Sequence, residues 1–412
     1  MMELLAPAGG PAQLRSAIRF GADAVYGGLR RFGLRASADN FGWDELAEGL
    51  RVVHGAGKRF YLTLNILPYD DELDGLCEDA ERAYALGVDG AIVADLGAFC
   101  RLRERVPGLA LHVSTQANVM NAAAAQLFAK MGARRIVLAR ELSLQRIWAI
   151  RRELPEEVAL EAFVHGAMCM AYSGRCMLSD HLTGRGGNRG ACAQPCRWQY
   201  HVVEEKRPGE VIGVEADERG TSLFSAYDLN MLDHLPELRE AGISSLKIEG
   251  RMKTAFYVAA VTSCYRQALD LLEKEGEAAY RAALPALQNE LRKVSHRASN
   301  TGFYFGRPTP ESGAEGVTQT MEYTADVEGW TDGLLTLRVK NRFYVGDVLE
   351  IVRPGGFDRL PITEIRDAET GELLRTVSVA GHRVTVPCAS LAEPGDFVRG
   401  PNRNHQSKEG GA

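Results

Sequence analysis

Four of the chain's eight cysteines lie in one glycine- and arginine-rich stretch, between positions 166 and 198. They are Cys169, Cys176, Cys192 and Cys196. Their spacing is C-x6-C-x15-C-x3-C, whereas structural zinc sites use pairs two to four residues apart, a spacing that only the last two thiols satisfy. Irregular spacing, neighbouring glycines and Pro195 before the last thiol favour an iron–sulfur cluster. Zinc and unrelated thiols remain open as alternatives.

A radical S-adenosylmethionine enzyme would require the spacing C-x3-C-x2-C, and position 199 holds glutamine, so that class is excluded. The remaining cysteines, at positions 77, 100, 264 and 388, occur singly in apolar surroundings. Isolated thiols of this kind usually pack as small hydrophobic side chains. We therefore expect them to be buried and to take no part in the chemistry.

Composition restricts the class of protein. The 412 residues are 45% hydrophobic and 25% charged, which indicates a folded chain with one large domain and a smaller one. The net charge of -6 gives no overall attraction to nucleic acid, so an RNA partner would need a local basic patch. Because no apolar run approaches a membrane span and the N-terminus lacks a basic n-region, we expect no membrane segment and no signal peptide. A cytoplasmic location, where thiols stay reduced, follows as an expectation.

Eight short β-rich runs alternate with amphipathic helical stretches over residues 1–275. They lie at 4–7, 24–27, 60–65, 91–95, 111–114, 135–139, 160–165 and 245–249. Alternation of this kind predicts parallel βαβ units, and eight units in this length favour an α/β fold with a (β/α)8 TIM-like barrel. The first turn lacks the G-x-G-x-x-G of a dinucleotide-binding fold.

The remaining segments are assigned by their patterns. A Cys-bearing insertion at 166–228 follows the seventh strand and ends at a helix expected near Leu229–Leu232. A helical connecting segment covers 276–322, and β-type runs separated by turns predict a small C-terminal antiparallel β-barrel domain over 323–400. The tail, 401–412, is expected to be disordered.

TIM-barrel enzymes carry out their chemistry at the C-terminal ends of the strands, so polar residues there are candidates for the site. The candidates at these ends include Asn65, Asp95, Arg140, His165, Glu249 and Arg251. By position, Glu249, Asp95 and His165 are the acid–base candidates. Each could instead be a helix N-cap or a polar loop residue, and His165 could donate a hydrogen bond beside a cluster.

Several motifs resemble those of one family. Residues 161–169 (EAFVHGAMC) and 173–179 (SGRCMLS) resemble the signature of the U32 peptidases, the collagenase-like proteases. The segments 4–9 (LLAPAG), 21–26 (GADAVY) and 246–253 (LKIEGRMK) agree with it. The likeness covers essentially the whole chain and is strongest to the branch that hydroxylates tRNA.

That resemblance implies a function and a cofactor. The function would be prephenate-dependent 5-hydroxylation of the wobble uridine, with the tRNA anticodon loop as partner. The four clustered cysteines would hold a [4Fe-4S] cluster. Phosphate contacts would come from Arg175, Arg185, Arg189 and Arg197, and base stacking from Tyr172, Trp198 and Tyr200. Prephenate is a dicarboxylate and would need arginine forks, for which the candidates are Arg251, Arg140 and Arg35, with Asn65 as a further substrate-binding residue.

Two other functions stay open. The family name carries peptidase activity, although the sequence has no zincin motif and no serine on a nucleophile elbow. A pair of Cys169 with His165 would use a cluster ligand as the nucleophile. The third hypothesis is a non-catalytic subunit that holds a cluster for a second U32-family protein.

Overall fold

The computed structural model describes residues 2–35, 38–169, 171–198, 227–306 and 317–403. Residue contacts divide the chain into two compact units. The first comprises Met1–Leu14, Ala22–Lys253 and Arg297–Gly316, and the second comprises Arg15–Gly21, Thr254–His296 and Val317–Ala412.

Parallel strands of the first unit close into a barrel. They are β1 (Glu3–Pro7), β2 (Ala24–Gly27), β3 (Arg59–Leu64), β4 (Gly90–Val93), β5 (Ala110–Val113), β6 (Arg135–Val137) and β7 (Ala159–Ala167), followed after a further strand, β8 (Asp228–Asn230), by β9 (Ser245–Ile248). Consecutive strands pair from β1 to β7, and β9 pairs in parallel with both β7 and β1, which closes the cylinder. The eight predicted strands and the TIM-like barrel are confirmed.

Helices follow the strands as the amphipathic pattern predicts. They are α1 (Pro11–Arg19), α2 (Trp43–Gly55), α3 (Asp70–Ala85), α4 (Leu96–Arg105), α5 (Ala122–Lys130), α6 (Leu144–Arg152), α7 (Leu178–Thr183), α8 (Leu235–Glu240), α9 (Ala255–Lys274) and α10 (Glu277–Arg292). Side-chain caps start several of them; Ser143, for example, accepts a hydrogen bond from the N–H of Arg146. Gly57 and Gly132, with φ of 68° and 92°, follow α2 and α5 in the left-handed conformation that ends helices. None of the helices in the described ranges is long and apolar enough to cross a bilayer.

The helix expected near Leu229–Leu232 is wrong at its start, because residues 228–230 form a strand. This strand, β8, pairs antiparallel with β7 and in parallel with β10 (Ser299–Asn300). Asp228 secures it, since its backbone N–H donates to the carbonyl of Ala298 and its carboxylate accepts from the N–H of Arg297. A short 3-10 turn and α8 follow. Pairing with two other strands therefore decides the conformation where the local pattern suggested a helix.

An ion network occupies the interior of the barrel. We define this interior network as Glu3, Arg135, Glu161 and Lys247. Glu161 is completely buried; its Oε1 lies 2.7 Å from Nζ of Lys247 and its Oε2 lies 2.8 Å from Nη1 of Arg135. Nη1 of Arg135 also lies 2.6 Å from Oε1 of Glu3. Each buried charge thus has an opposite charge in contact, as burial requires.

The second unit carries an antiparallel β-sheet, as predicted for the C-terminal part. Its strands are β11 (Met321–Thr331), β12 (Leu334–Val339), β14 (Val348–Arg353), β15 (Gly356–Pro361), β16 (Ile365–Asp367), β17 (Leu373–Leu374), β19 (Arg383–Pro387) and β20 (Phe397–Pro401), with a separate pair β13 (Phe343–Tyr344) and β18 (Thr376–Val377). A turn at residues 367–372 connects β16 to β17, and Asp367 Oδ1 accepts the N–H groups of Glu369 and Thr370 at 2.8 Å.

Candidate functional site

A cavity opens at the C-terminal ends of the barrel strands. Its floor is formed by strand side chains, which are the largely apolar Tyr26, Ile92, Val137 and Phe163 from β2, β4, β6 and β7 and the polar Thr63 and Lys247 from β3 and β9. Its upper wall is formed by polar residues that follow the strands and by part of the Cys-bearing insertion. The cavity has an open mouth and an interior volume of about 130 Å³.

Glu249, directly after β9, lies between two arginines in the wall of the cavity. Its Oε2 is 3.0 Å from Nη2 of Arg140, and its Oε1 is 3.7 Å from Nη2 of Arg35. Burial alone would raise the pKa of Glu249, but the positive charges of Arg35, Arg140 and Lys247 outweigh burial and lower it. Glu249 is therefore a carboxylate at neutral pH and can accept a proton rather than donate one.

Arg251 lies two residues further along and is 4% exposed. Its Nη1 donates to Oγ1 of Thr63 at 3.0 Å, and its Nη2 donates to Oδ1 of Asn40 at 2.6 Å. The structure thus brings the predicted residues Arg35, Arg140 and Arg251 together in the wall of one cavity.

Asn65 also lines the cavity. Its Nδ2 donates to Oε1 of Gln116 at 3.2 Å, and its Oδ1 accepts from the N–H of Leu34 at 3.3 Å. Gln116 in turn contacts the hydroxyl of Ser114. These amide contacts connect the loops after β3 and β5 to the loop that carries Arg35, so Asn65 holds the wall in place.

Two predicted acid–base residues do not line this cavity. Asp95 is the N-cap of α4, and its Oδ1 accepts a hydrogen bond from the N–H of Ala98 at 2.8 Å. The helix N-cap was the other role that the sequence allowed for this residue. His165 lies in β7 and is 6% exposed. The pairing of β7 with β9 shifts register between Phe163 and His165, so Phe163 faces the cavity without His165 doing so.

Three of the four clustered thiols, those of Cys169, Cys176 and Cys192, line this cavity, and Cys196 follows in a 3-10 turn at Pro195–Arg197. All eight cysteines are free thiols, so no disulfide competes for them. Four sulfur donors are the donor set of an iron–sulfur cluster, and the N–H of Gln194 donates to Sγ of Cys192 at 3.4 Å, as cluster sulfurs commonly accept. Cys100 is exposed, so the expectation of burial is wrong for it.

The positions of the thiols in this structure do not themselves form a set of metal ligands. Within the described ranges, no three His, Cys, Asp or Glu side chains stand together closely enough to hold a metal ion. The chemistry and the shared cavity therefore suit a cluster, while ligation requires the thiol side chains to turn toward a common centre.

Arg189 attaches the Cys-bearing insertion to α3. Its Nη1 and Nη2 lie 2.7 and 2.5 Å from the two carboxylate oxygens of Glu72, and the guanidinium stacks on the ring of Tyr69. Hydrogen bonds from Arg189 and from the N–H of Tyr69 lower the pKa of Glu72 to about 2. Arg189 therefore holds the insertion in place in this structure. Its partner is the carboxylate of Glu72, whereas the sequence suggested an RNA phosphate.

We expect Glu72→Gln to loosen the insertion with little effect on overall stability. A neutral amide cannot form the bidentate ion pair, and an exposed pair of this kind contributes at most about 1 kcal/mol. Trypsin should then cleave after Arg175 and Arg185 faster than in the unmodified protein.

The control is Glu81→Gln, which removes a similar exposed contact with Arg105 elsewhere on the surface. Equal cleavage rates in both variants would show that the contact of Arg189 with Glu72 does not hold the insertion.

Two aromatic side chains of the Cys-bearing insertion are exposed. Tyr172, which lines the cavity, is 50% exposed, and Trp198 is 43% exposed. Arg185 donates to the carbonyl of Ala191 through Nε. The side chain of Arg197 and the whole of Tyr200 lie outside the described residues.

Sequence reasoning did not single out three residues that shape the site. Thr63 and Lys247 are polar positions inside apolar strand runs whose side chains face into the barrel, a signal that strand alternation could have given. Asn40, in a loop with φ of 53°, has no comparable signal in the sequence.

Two family profiles match the chain. That of peptidase family U32 matches residues 9–314, and that of the U32 C-terminal domain matches residues 319–399. The first range includes the barrel and the clustered thiols, and the second includes the antiparallel sheet.

Three named proteins are similar in sequence to this chain. The tRNA hydroxylation protein P of Escherichia coli is 34% identical, with 93% of each chain covered. The 23S rRNA 5-hydroxycytidine C2501 synthase of the same organism is 38% identical over 74% of this chain and 46% of its own length. A collagenase of Porphyromonas gingivalis is 30% identical, with 96% of each chain covered. Two of the names refer to hydroxylation of RNA and one to proteolysis.

Proposed function

This chain belongs to peptidase family U32, and we propose that within that family it hydroxylates C5 of the wobble uridine of tRNA. Relatives named for hydroxylation of tRNA and of rRNA support an RNA-modifying role. The observation that carries the proposal is the cavity at the barrel mouth, because clustered thiols and cationic side chains line the same space. The enzyme would act in the cytoplasm, where tRNA is found.

Under this proposal Cys169, Cys176, Cys192 and Cys196 hold a [4Fe-4S] cluster. When bound, such a cluster supplies transfer of single electrons at the barrel mouth. Prephenate is the co-substrate that the family resemblance implies, and the cationic wall of the cavity supports a dicarboxylate there.

The chain's own residues would position the RNA. Tyr172, which lines the cavity, and Trp198, further along the same insertion, are exposed and can stack on an unpaired base of the anticodon loop. Arg175 and Arg185, in the same insertion, offer positive charge to the phosphates despite the acidic chain as a whole. Glu249, ionised in the cavity wall, is the acid–base candidate that lines the cavity.

The test is the nucleoside composition of tRNA. Mass spectrometry of tRNA from a strain lacking this protein should show loss of 5-hydroxyuridine and of the wobble modifications derived from it. A plasmid copy of the gene should restore them. Unchanged modifications in the deletion strain would refute the proposal.

Peptidase activity is the second candidate, because the collagenase relative matches nearly the whole chain. The geometry supports it less well, since Cys169 lines the cavity and His165 does not. Cleavage of casein or collagen peptides by the purified protein, together with unchanged tRNA, would favour it.

A non-catalytic role beside a second U32-family subunit is the third candidate. In that case the purified protein would bind iron and yet show no turnover on tRNA until the second protein is added.

A further inference from the structure

Lys247 is a buried primary amine with no part in the reaction proposed above. It lies on β9 and is 4% exposed, and in the described part of the chain it is the lysine that is buried. Of the four residues of the interior network, it is the one that also lines the cavity at the barrel mouth. The floor of the cavity therefore carries a potential nucleophile, because the amine of a lysine can attack a carbonyl carbon.

The ammonium group of Lys247 has a single hydrogen-bond acceptor among the described residues. Its Nζ lies 2.7 Å from Oε1 of Glu161. Its other close contacts are with aromatic rings of the cavity floor, at 4.2 Å from the ring centroid of Tyr26 and 5.5 Å from that of Phe163. An ammonium has three N–H donors, so two of them have no acceptor within these residues. Glu161 thus holds the amine in place without enclosing it in hydrogen bonds.

The surroundings of Lys247 favour loss of a proton from its ammonium group. Burial lowers the pKa of Lys247 below its ordinary value, and the positive charge of Arg135 lowers it further. The attraction of Glu161 offsets only part of this effect. A larger fraction of this amine is therefore neutral than of an exposed lysine, and the neutral amine is the form that attacks a carbonyl group.

We propose that Lys247 forms an imine with a small aldehyde or ketone that enters this cavity. The bond between Nζ and the carbonyl carbon forms as the bond between that carbon and its oxygen breaks. The oxygen leaves as water with two hydrogens of the ammonium group, so the step needs no oxidant or reductant. The inference goes beyond the proposed function, because imine formation requires neither RNA nor a cluster.

The charges around Lys247 suit the product of this step. A protonated imine keeps the positive charge of the ammonium group, so Glu161 keeps its counter-ion and the interior network stays balanced. The carboxylate of Glu249 lines the same cavity and can take a proton from the ammonium and return it to the departing hydroxyl. An arginine at position 247 would also pair with Glu161, but its guanidinium would not form an imine.

The experiment is borohydride trapping with the full chain and without RNA. Borohydride reduces an imine to a stable secondary amine, so the carbonyl compound remains attached to the lysine that bound it. The probes are dihydroxyacetone, a neutral ketone, and pyruvate, an anionic one. After reduction, peptide mapping by mass spectrometry should show an adduct at Lys247 before one appears at the exposed Lys130. Glycerol and lactate, which lack the ketone, should give no adduct.

Lys247→Arg keeps a positive charge beside Glu161 and should lose the early adduct completely. Lys130→Arg, an exposed position on α5, is the matched control and should keep the adduct at Lys247. Circular dichroism shows whether each variant is folded. If Lys247→Arg does not fold, peptide mapping of the unmodified protein provides the test by itself.

The proposal is wrong if neither ketone is trapped at Lys247, or if Lys130 is labelled as fast as Lys247. Trapping at Lys247 together with unchanged tRNA in the deletion strain would refute the proposed function alone. Loss of the wobble modifications in that strain, without trapping at Lys247, would refute the imine alone.

Discussion

Cys192→Ala is expected to abolish both bound iron and the RNA modification while leaving the barrel folded. Cys192 lines the cavity with Cys169 and Cys176, and removal of one of four thiolates leaves a cluster without a full set of ligands. Anaerobically purified variant protein should lack iron and visible absorbance. Expressed in the deletion strain, it should not restore 5-hydroxyuridine, and its circular dichroism should match that of the unmodified protein.

Cys100→Ala is the matched control for this experiment. Cys100 is also an exposed thiol, but it lies on α4 and outside the insertion. This variant should keep its iron and its activity. A Cys192→Ala protein with a full complement of iron would remove Cys192 from the ligand set and with it the proposed four-thiol site.

Glu161→Ala should give the largest loss of stability. It removes the carboxylate that contacts both Arg135 and Lys247 inside the barrel, and so leaves buried positive charge unpaired. Breaking a buried ion pair in this way costs about 3–5 kcal/mol of the free energy of unfolding. Denaturant unfolding followed by circular dichroism measures the difference.

The comparison variant is Glu81→Ala, whose exposed pair with Arg105 should contribute at most about 1 kcal/mol. Acid should also separate the variants. Burial opposes ionisation of Glu161, but Lys247 and Arg135 lower its pKa to about 2. A carboxyl with a depressed pKa stabilises the fold above its unfolded pKa of about 4.3, and this contribution is lost as the pH falls toward 2. The unmodified protein should therefore lose stability more steeply than Glu161→Ala over this range, and parallel curves would contradict the assignment.

The barrel was predictable because each strand is a compact apolar run that ends at a polar or small residue. Ala24–Gly27 is found at its predicted bounds, and Ser245–Ile248 within one residue of them. The strand Asp228–Asn230 was not predictable, because three residues carry no periodicity and its conformation depends on pairing with β7 and β10. Sequence patterns report local preference, whereas such a strand is produced by distant partners.

The site was predictable in part for a related reason. Glu249 and Arg251, which were selected because they follow a strand, line the cavity wall. Asp95 also follows a strand, but it is the N-cap of α4. A polar residue between a strand and a helix can be a site residue or an N-cap, and its position in the sequence does not distinguish the two. His165 does not line the cavity, because the pairing of β7 with β9 shifts register after Phe163 and so changes which side chains face inward. The sequence carries no signal for this register shift.

The antiparallel pairing of β7 with β8 has a consequence for how members of this fold can diverge. Ala167 pairs with Asp228 in the β7–β8 ladder, so the two ends of the Cys-bearing insertion lie one strand spacing apart. Its ends are joined by backbone hydrogen bonds whatever lies between them. Since doubling the length of a closed loop costs only about 0.6 kcal/mol, this insertion can be lengthened, shortened or replaced at small thermodynamic cost without a change to the barrel that carries it.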